Sequence, residues 1–264
     1  MGPETISKSI KNDWADWPIR LGKFSAWNHD WLLPKIQAHR GYHQDAIVEN
    51  SFESLAVAKE KGYKMAEIDV QFTKDKIPVV FHDFTLSDRF RLNVKISEMS
   101  YEDLNRLANF PALKDVLATK ERPEFLNIEI KSKNFIHFGL EESVVELINR
   151  SGAADLVLLS SFNPWSLLKI KFLDARLTRA LLVTDEPEIW NLYYLRRMWL
   201  APLIEPHVLN IRHSMVDPML IAKLKSSHVL TSAWTVNDLE RAKTLVAMGV
   251  DSIISDTILP HSLT

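Results

Sequence analysis

Charged and titratable side chains crowd one stretch of the chain. The segments QAHRG, VENSFESL and AEIDVQFTKDKIPVVFHD, between Gln37 and Asp83, carry His39, Arg40, Glu49, Glu67, Asp69 and His82 in or beside short apolar runs. Buried charges are costly unless they are paired, hydrogen-bonded or bound to a metal, so this pattern calls for a chemical reason. MAEIDVQF has the apolar and β-branched content of a strand. Side chains two apart on a strand share a face, so Glu67 and Asp69 project together. Adjacent carboxylates repel unless one keeps a proton or a cation sits between them. A hard divalent cation with oxygen ligands, Mg²⁺ or Ca²⁺, meets that demand; a salt-bridged pair facing a lysine or arginine is the alternative.

Further along, FLNIEIK places Asn127, Glu129 and Lys131 on one strand face. Taken in order, His39-Arg40-Gly41, Glu49-Asn50, Glu67-x-Asp69 and Pro78-Val-Val-x-His82-Asp83 resemble the signature of the glycerophosphodiester phosphodiesterase family. That family comprises metal-dependent (β/α) barrel enzymes that cleave glycerophosphodiesters to glycerol 3-phosphate and an alcohol. The N-x-E-x-K segment at Asn127 is similar to one whose glutamate ligates the metal. The resemblance thus implies Glu67, Asp69 and Glu129 around one divalent cation, with Mg²⁺ or Ca²⁺ favoured over zinc by the oxygen-only donor set.

The resemblance also implies that His39 and His82 are the general acid and base, without saying which is which. Imidazole titrates near neutral pH and suits both proton transfers of phosphodiester cleavage. Arg40 as a two-pronged donor and Lys131 as a point charge are natural phosphate partners and catalytic supports. Glu49 and Asn50 precede a helix and are expected to orient groups at the substrate site; for Asn50 a helix cap is an equal reading. LLSSFNPWSLLKI is similar to the family's S-F-x-x-x-x-L pattern, which brings in Ser161. SAWTVND resembles its W-T-V-N strand, with Trp234 expected on the alcohol side of the pocket or in the core. GVDSIISD resembles the family's ending. Departures are Ser51, Lys76, Ile258 and the run FTLSDRFRLN after Asp83, which leaves headgroup choice open. His207 and His213 match no motif and are expected to be structural or pocket-lining.

These residues need a scaffold that brings distant segments together. From Lys35 onward, strand-like runs (KIQAH, MAEIDVQF, PVVFH, FLNIEIK, DLVLLSS, LTRALLV, part of PLIEPHVLNIRH, HVLTSAWTV, VDSIISD) alternate with helical ones. The helical runs include ENSFESLAVAKEKG, LEESVVELINRSG, NPWSLLKIKFLD, the aromatic-rich Glu188–Leu200, DPMLIAKLKSS and NDLERAKTLVAMG, the last read as opened by an asparagine cap. Alternation of this kind predicts a (β/α)₈ TIM barrel as a single domain over residues 35–264. A doubly wound sheet is the competing arrangement, but its glycine fingerprint is missing. In a barrel the chemistry sits where strands end, and His39-Arg40, Glu67, Asp69, His82, Glu129, Lys131, Ser161, Trp234 and Asp256 all fall at or near such ends. Residues 1–34, with Trp14, Trp17, Trp27 and Trp31, form a Trp-rich extension expected to pack on the barrel.

Composition narrows the partners. The chain has 264 residues, a formal net charge of −2 and no long basic run, which speaks against nucleic acid. Without cysteine there are no disulfides or thiolate metal sites, and with seven glycines there is no Gly-rich phosphate loop. No signal-peptide core or transmembrane stretch is evident, so a cytoplasmic location and a small-molecule substrate are expected. Membrane contact through the tryptophans is conceivable but not indicated, and oligomeric state is open. A lysophospholipase D or sphingomyelinase D-like enzyme is the second reading, and a catalytically silent phosphodiester-binding barrel the third.

Overall fold

The computed structural model describes residues 25–27, 29–132, 139–186 and 200–263. Its elements run β1 (Ile36–Ala38), α1 (Phe52–Glu60), β2 (Met65–Phe72), β3 (Pro78–Val80), β4 (Thr85–Leu86), α2 (Ser87–Phe90), β5 (Leu92–Lys95), α3 (Tyr101–Leu107), α4 (Leu113–Ala118) and β6 (Phe125–Ile130). Then come α5 (Leu140–Ser151), β7 (Val157–Ser161), α6 (Pro164–Leu173), β8 (Thr178–Val183), α7 (Ala201–Ile204), β9 (Val208–Arg212), α8 (Pro218–Ser226), β10 (Leu230–Trp234), α9 (Leu239–Met248) and β11 (Ser252–Ser255). Eight parallel strands, β1, β2 and β6 to β11, close into a ring, β1 pairing with β11 on one edge and with β2 on the other. This is the predicted (β/α)₈ barrel.

PVVFH is not a stave of the ring. Its β3 runs antiparallel to β2, Val70 opposite Val80. Val70 also pairs with Ile130 of β6, so β3 must lie along the edge of β2 that the short β1 leaves uncovered. That return delivers His82 to the same end of the barrel as Glu67 and Asp69. FTLSDRFRLN, to which the sequence assigns no element, forms the β4–β5 hairpin around the single turn of α2. The Ile96 amide donates to the Phe84 carbonyl at its base.

The period-2 rule sorts each stave into two faces. Ile68, Leu126, Ile128, Leu159, Leu209 and Ile253 point outward into one core with Leu55, Val144, Leu167, Ile221 and Leu245 of the surrounding helices. Inside the ring is a polar layer in which Asn127 donates to Gln37 and Gln37 to Ser252. Helix starts follow local chemistry: Ser51 and Ser54 form a capping box on α1, and Asn163 and Asp217 cap helices that open with proline. The cap of α9 is Asp238 rather than the expected Asn237, whose side chain is committed elsewhere.

At the end where strands begin, Trp27, Trp31 and Leu33 pack on Met65, Phe125 and Leu158. Trp31 stacks on Phe125 at 4.1 Å between ring centroids and donates to the Asp155 carbonyl. Trp14, Trp17 and nearly all of the expected helix Glu188–Leu200 lie outside the described residues. Among those described, no helix is long and apolar enough to cross a membrane.

Candidate active site

The site is assembled at the carboxyl ends of the strands. Past β1 the chain turns through two successive left-handed residues, Arg40 (φ 56°) and Gly41 (φ 75°). This reversal aims the Arg40 amide at Glu67 Oε2 (3.0 Å) and the Arg40 carbonyl at the Asn50 amide (2.9 Å). A Cβ on Gly41 would come within 2.8 Å of the Ser54 backbone carbon, which has no rotamer to escape by. Gly41→Ala is therefore expected to cost about 2–4 kcal/mol, left-handed strain and overpacking acting together. Denaturant unfolding checks this; a loss below about 1 kcal/mol would show that the loop relaxes freely.

Glu67, Asp69 and Glu129 each bring a carboxylate oxygen within 4.8 Å of the others. Register puts Glu129 of β6 opposite Asp69 of β2. Asn50 holds Asp69 from both sides: its Nδ2 donates to Oδ2 (2.8 Å), and its Oδ1 accepts from the Asp69 amide (3.2 Å). The helix cap is Ser51, and the Asn50 side chain is committed to Asp69 instead. Lys131 Nζ lies 3.4 Å from Asp69 and 3.2 Å from Glu129. Arg40 approaches Asp69 at 3.5 Å and donates to both Glu49 oxygens at 3.0 Å. Glu49 is thus a clamp on the arginine.

Three carboxylates, Glu67 and Asp69 buried and Glu129 half-buried, face two cations in this cluster, and Glu67 Oε1 has no partner. A buried polar atom left unmatched costs about 1–3 kcal/mol. Burial, reinforced by Asp69 and Glu129, pushes Glu67 well above the carboxylate range. Burial likewise raises Glu129 to about 7, with Lys131 opposing and Asp69 adding. Asp69 goes the other way: burial would raise it, but Lys131, His82, Arg40 and the Asn50 bond outweigh that and hold it low. The cluster therefore retains a proton near neutrality unless a cation takes its place. An oxygen-only, net-negative donor set fits a hard divalent ion.

Both histidines are held the same way. His39 Nδ1 lies 2.7 Å from Asp256 Oδ1, and His82 Nδ1 2.7 Å from Asp83 Oδ1. In each ring Nε2 is left for the cavity that both side chains line, and His39 Nε2 sits 3.9 Å from Glu67. Asp256 is fixed in turn by Asn237, whose Nδ2 donates to Oδ2 and whose Oδ1 accepts the Asp256 amide. Burial would raise Asp256, but the bond from His39 and that from Asn237 hold it at about 2. Burial lowers the His82 pKa; Asp69 opposes this, while Lys131 and Arg40 reinforce it. The cavity occupies about 350 Å³, within the range of small-molecule sites.

Residues 39–259 match the model of the Glycerophosphoryl diester phosphodiesterase family. The chain belongs to that family. It is 29% identical to the glycerophosphodiester phosphodiesterase of Caldanaerobacter subterraneus subsp. tengcongensis, over 84% of this chain and 93% of the relative. The glycerophosphodiester phosphodiesterase of Bacillus altitudinis is also 29% identical, over 85% and 95%. Among solved structures, an Oleispira antarctica phosphodiesterase in complex with the product sn-glycerol-3-phosphate superposes with a TM-score of 0.73 at 28% identity, covering 88% of this chain and 95% of that one.

Within this glycerophosphodiester phosphodiesterase barrel, His39, Arg40, Glu67, His82, Glu129, Lys131 and Trp234 line one cavity, with Asp69, Glu49 and Asn50 immediately behind. Trp234 donates Nε1 to the Asn210 carbonyl and meets Phe162 edge-to-face at 5.4 Å. Ser161 does not line this cavity. Its hydroxyl donates to the Ile130 carbonyl and accepts the Asn163 amide, and it borders only a side recess of about 80 Å³. Its neighbour Ser160, opposite Glu129 in register, faces the main cavity. Strand phase counted from Glu129 would have selected Ser160. His207, buried and accepting the Arg179 amide, lies on β8's starting side, and neither it nor His213 borders the main cavity. Asp83, next to a motif histidine, and Asp256, at a strand end, hold the two imidazoles, a pairing that spacing alone does not assign.

Proposed function

We propose that this chain hydrolyses glycerophosphodiesters to glycerol 3-phosphate and an alcohol, with His39 and His82 as the acid–base pair. The observation that carries the reading is the pairing of each imidazole with a carboxylate through Nδ1, so that both Nε2 atoms serve one cavity beside the carboxylate cluster. Glu67, Asp69 and Glu129 would hold one divalent cation, Mg²⁺ or Ca²⁺. When bound, it would supply Lewis-acid polarisation of the phosphate and offset the carboxylate charge. Arg40 and Lys131 bind the phosphate oxygens and counter the charge that develops on them.

His82, kept neutral by burial, takes the proton from the attacking oxygen, either water or the glycerol 2-hydroxyl through a cyclic phosphate. His39 Nε2 then protonates the departing alkoxide, and Asp256 holds the ring through Nδ1. In this reading residues 35–264 are the catalytic barrel, and Trp27, Trp31 and Leu33 pack at its opposite end, away from the chemistry.

Phosphorus NMR of the purified chain tests the scheme. Glycerophosphocholine should yield glycerol 3-phosphate, EDTA should abolish the reaction, and either Mg²⁺ or Ca²⁺ should restore it. Turnover of lysophosphatidylcholine in place of glycerophosphocholine would transfer the chain to the lipase reading, and activity undiminished by EDTA would refute the cation.

A further inference from the structure

A second cavity opens at the opposite end of the barrel, where Lys64 leads into β2 and Glu124 into β6. It occupies about 530 Å³, within the range of small-molecule sites, and shares no residue with the catalytic cavity. Four basic side chains line it, Lys59, Lys64, Lys120 and Arg122, against one acidic side chain, Glu124. Lys59 is paired with Glu121 at 3.6 Å. Among the described residues, Lys64, Lys120 and Arg122 have no carboxylate within ion-pair distance.

Arg122 differs from the lysines in being only 9% exposed. Its Nε donates to the Val116 carbonyl at 3.0 Å, and its Nη1 to the Pro123 and Glu124 carbonyls at 2.8 and 2.9 Å. These bonds close the end of α4 and fix the plane of the guanidinium, but carbonyl dipoles do not neutralise a full charge. Burial lowers the Arg122 pKa, and no carboxylate opposes it. A buried cation without a counter-ion is costly. Nη2 bonds to no described residue and is the nitrogen left to the cavity. A helix-closing role needs the three carbonyl bonds alone. It does not account for two more unpaired cations on the same walls.

Three unpaired cations call for an anion of more than one charge, and a phosphate monoester carries about two near neutral pH. A guanidinium with free N–H groups and lysine ammoniums are the donors that phosphate oxygens take. Because Arg122 is recessed, its partner must enter the cavity, which a small soluble molecule does and a membrane surface does not. Leu117 and Leu156 offer apolar wall to the organic part of such a molecule. We propose that this cavity is a second binding site, in which Lys64, Lys120 and Arg122 hold the phosphate group of a small phosphomonoester. The site lies beyond the hydrolytic reading and does not depend on it.

Amide-resolved NMR of the full chain, titrated with inorganic phosphate at constant ionic strength, tests this. Saturable shifts should appear at Gly62, Lys64, Thr119 and Lys120, apart from any at His39 and Arg40 beside the catalytic cavity. Arg122→Gln should weaken binding at the first group by about tenfold or more, the worth of one hydrogen bond between charged partners. Lys64→Gln and Lys120→Gln change exposed side chains; each should weaken it in part, and they carry the test should Arg122→Gln fail to fold. No saturation at these amides, an equal response to chloride, or an affinity unchanged in the folded variants would overturn the proposal. Binding here needs neither divalent cation nor turnover. Absent hydrolysis would therefore leave the site standing, and its own failure would leave the catalytic reading untouched.

Discussion

His82→Ala should lower kcat/KM by about 10²–10⁴-fold, the usual worth of a positioned proton-transfer group, toward every diester tested. His39→Ala should do the same for glycerophosphocholine but far less for a diester with a 4-nitrophenyl leaving group. The difference follows from the geometry. Both imidazoles are bonded to a carboxylate through Nδ1 and present Nε2 to one cavity, but burial among Lys131 and Arg40 lowers His82. A neutral imidazole starts a reaction as a base, which leaves proton donation to the leaving group to the other ring. A choline alkoxide cannot leave without that proton, while nitrophenolate can. Circular dichroism should show both variants folded, because Asp83 and Asp256 remain partly hydrated. Equal losses of the two variants on both leaving groups would contradict this division of roles.

Much of this site was legible because its groups are carried by short local motifs. Glu67-x-Asp69 and Asn127-x-Glu129-x-Lys131 obey the period of two, so their common face follows from spacing alone. What was not legible depends on pairing between distant segments. Asn50 looks like a cap from its place before α1; only the reversal at Arg40 and Gly41 brings its amide onto Asp69. Ser160 and Ser161 are equivalent in composition, and the register with Glu129 decides between them. Asn237 looks like the start of α9 until β11 brings Asp256 to it. PVVFH has the content of a barrel stave, but the TKDK turn is too short for a crossover, which forces an antiparallel return. The hairpin after Asp83 had no periodic signal, being largely exposed and only two to four residues per strand.

Glu67→Gln should give a protein that is more stable than wild type without divalent cation at pH 8, insensitive to added Mg²⁺ or Ca²⁺, and inactive. Glu67 is raised by burial and by its acidic neighbours, and its sole hydrogen bond in the cluster is accepted from the Arg40 amide, which a glutamine oxygen also accepts. Removing its charge relieves repulsion and deletes a cation ligand. The pH dependence in the wild-type chain fixes the sign. Glu129 is raised from 4.5 to about 7, so ionising it in the folded, cation-free chain costs about 3 kcal/mol. That cost is absent below the unfolded pKa, grows between about 4.5 and 7, and is complete above 7. Stability without cation therefore falls as pH rises through this window, with Glu67 acting in the same direction. Asp69, depressed in the fold, contributes stability that is lost only in strong acid. A cation relieves the repulsion and must displace protons below pH 7, so its affinity falls about tenfold per pH unit for each proton displaced. Thermal scans at pH 5.5 and 8 should show Mg²⁺ or Ca²⁺ raising the wild-type Tm much more at pH 8, at about 2–4 °C per kcal/mol for a chain of this size. Equal stabilisation at both pH values, or a cation response preserved in Glu67→Gln, would show that the three carboxylates are a salt-bridged pivot for Arg40 and Lys131. The two roles make opposite demands on Glu67, whose charge destabilises the cation-free fold and is worth keeping only if something positive sits against it.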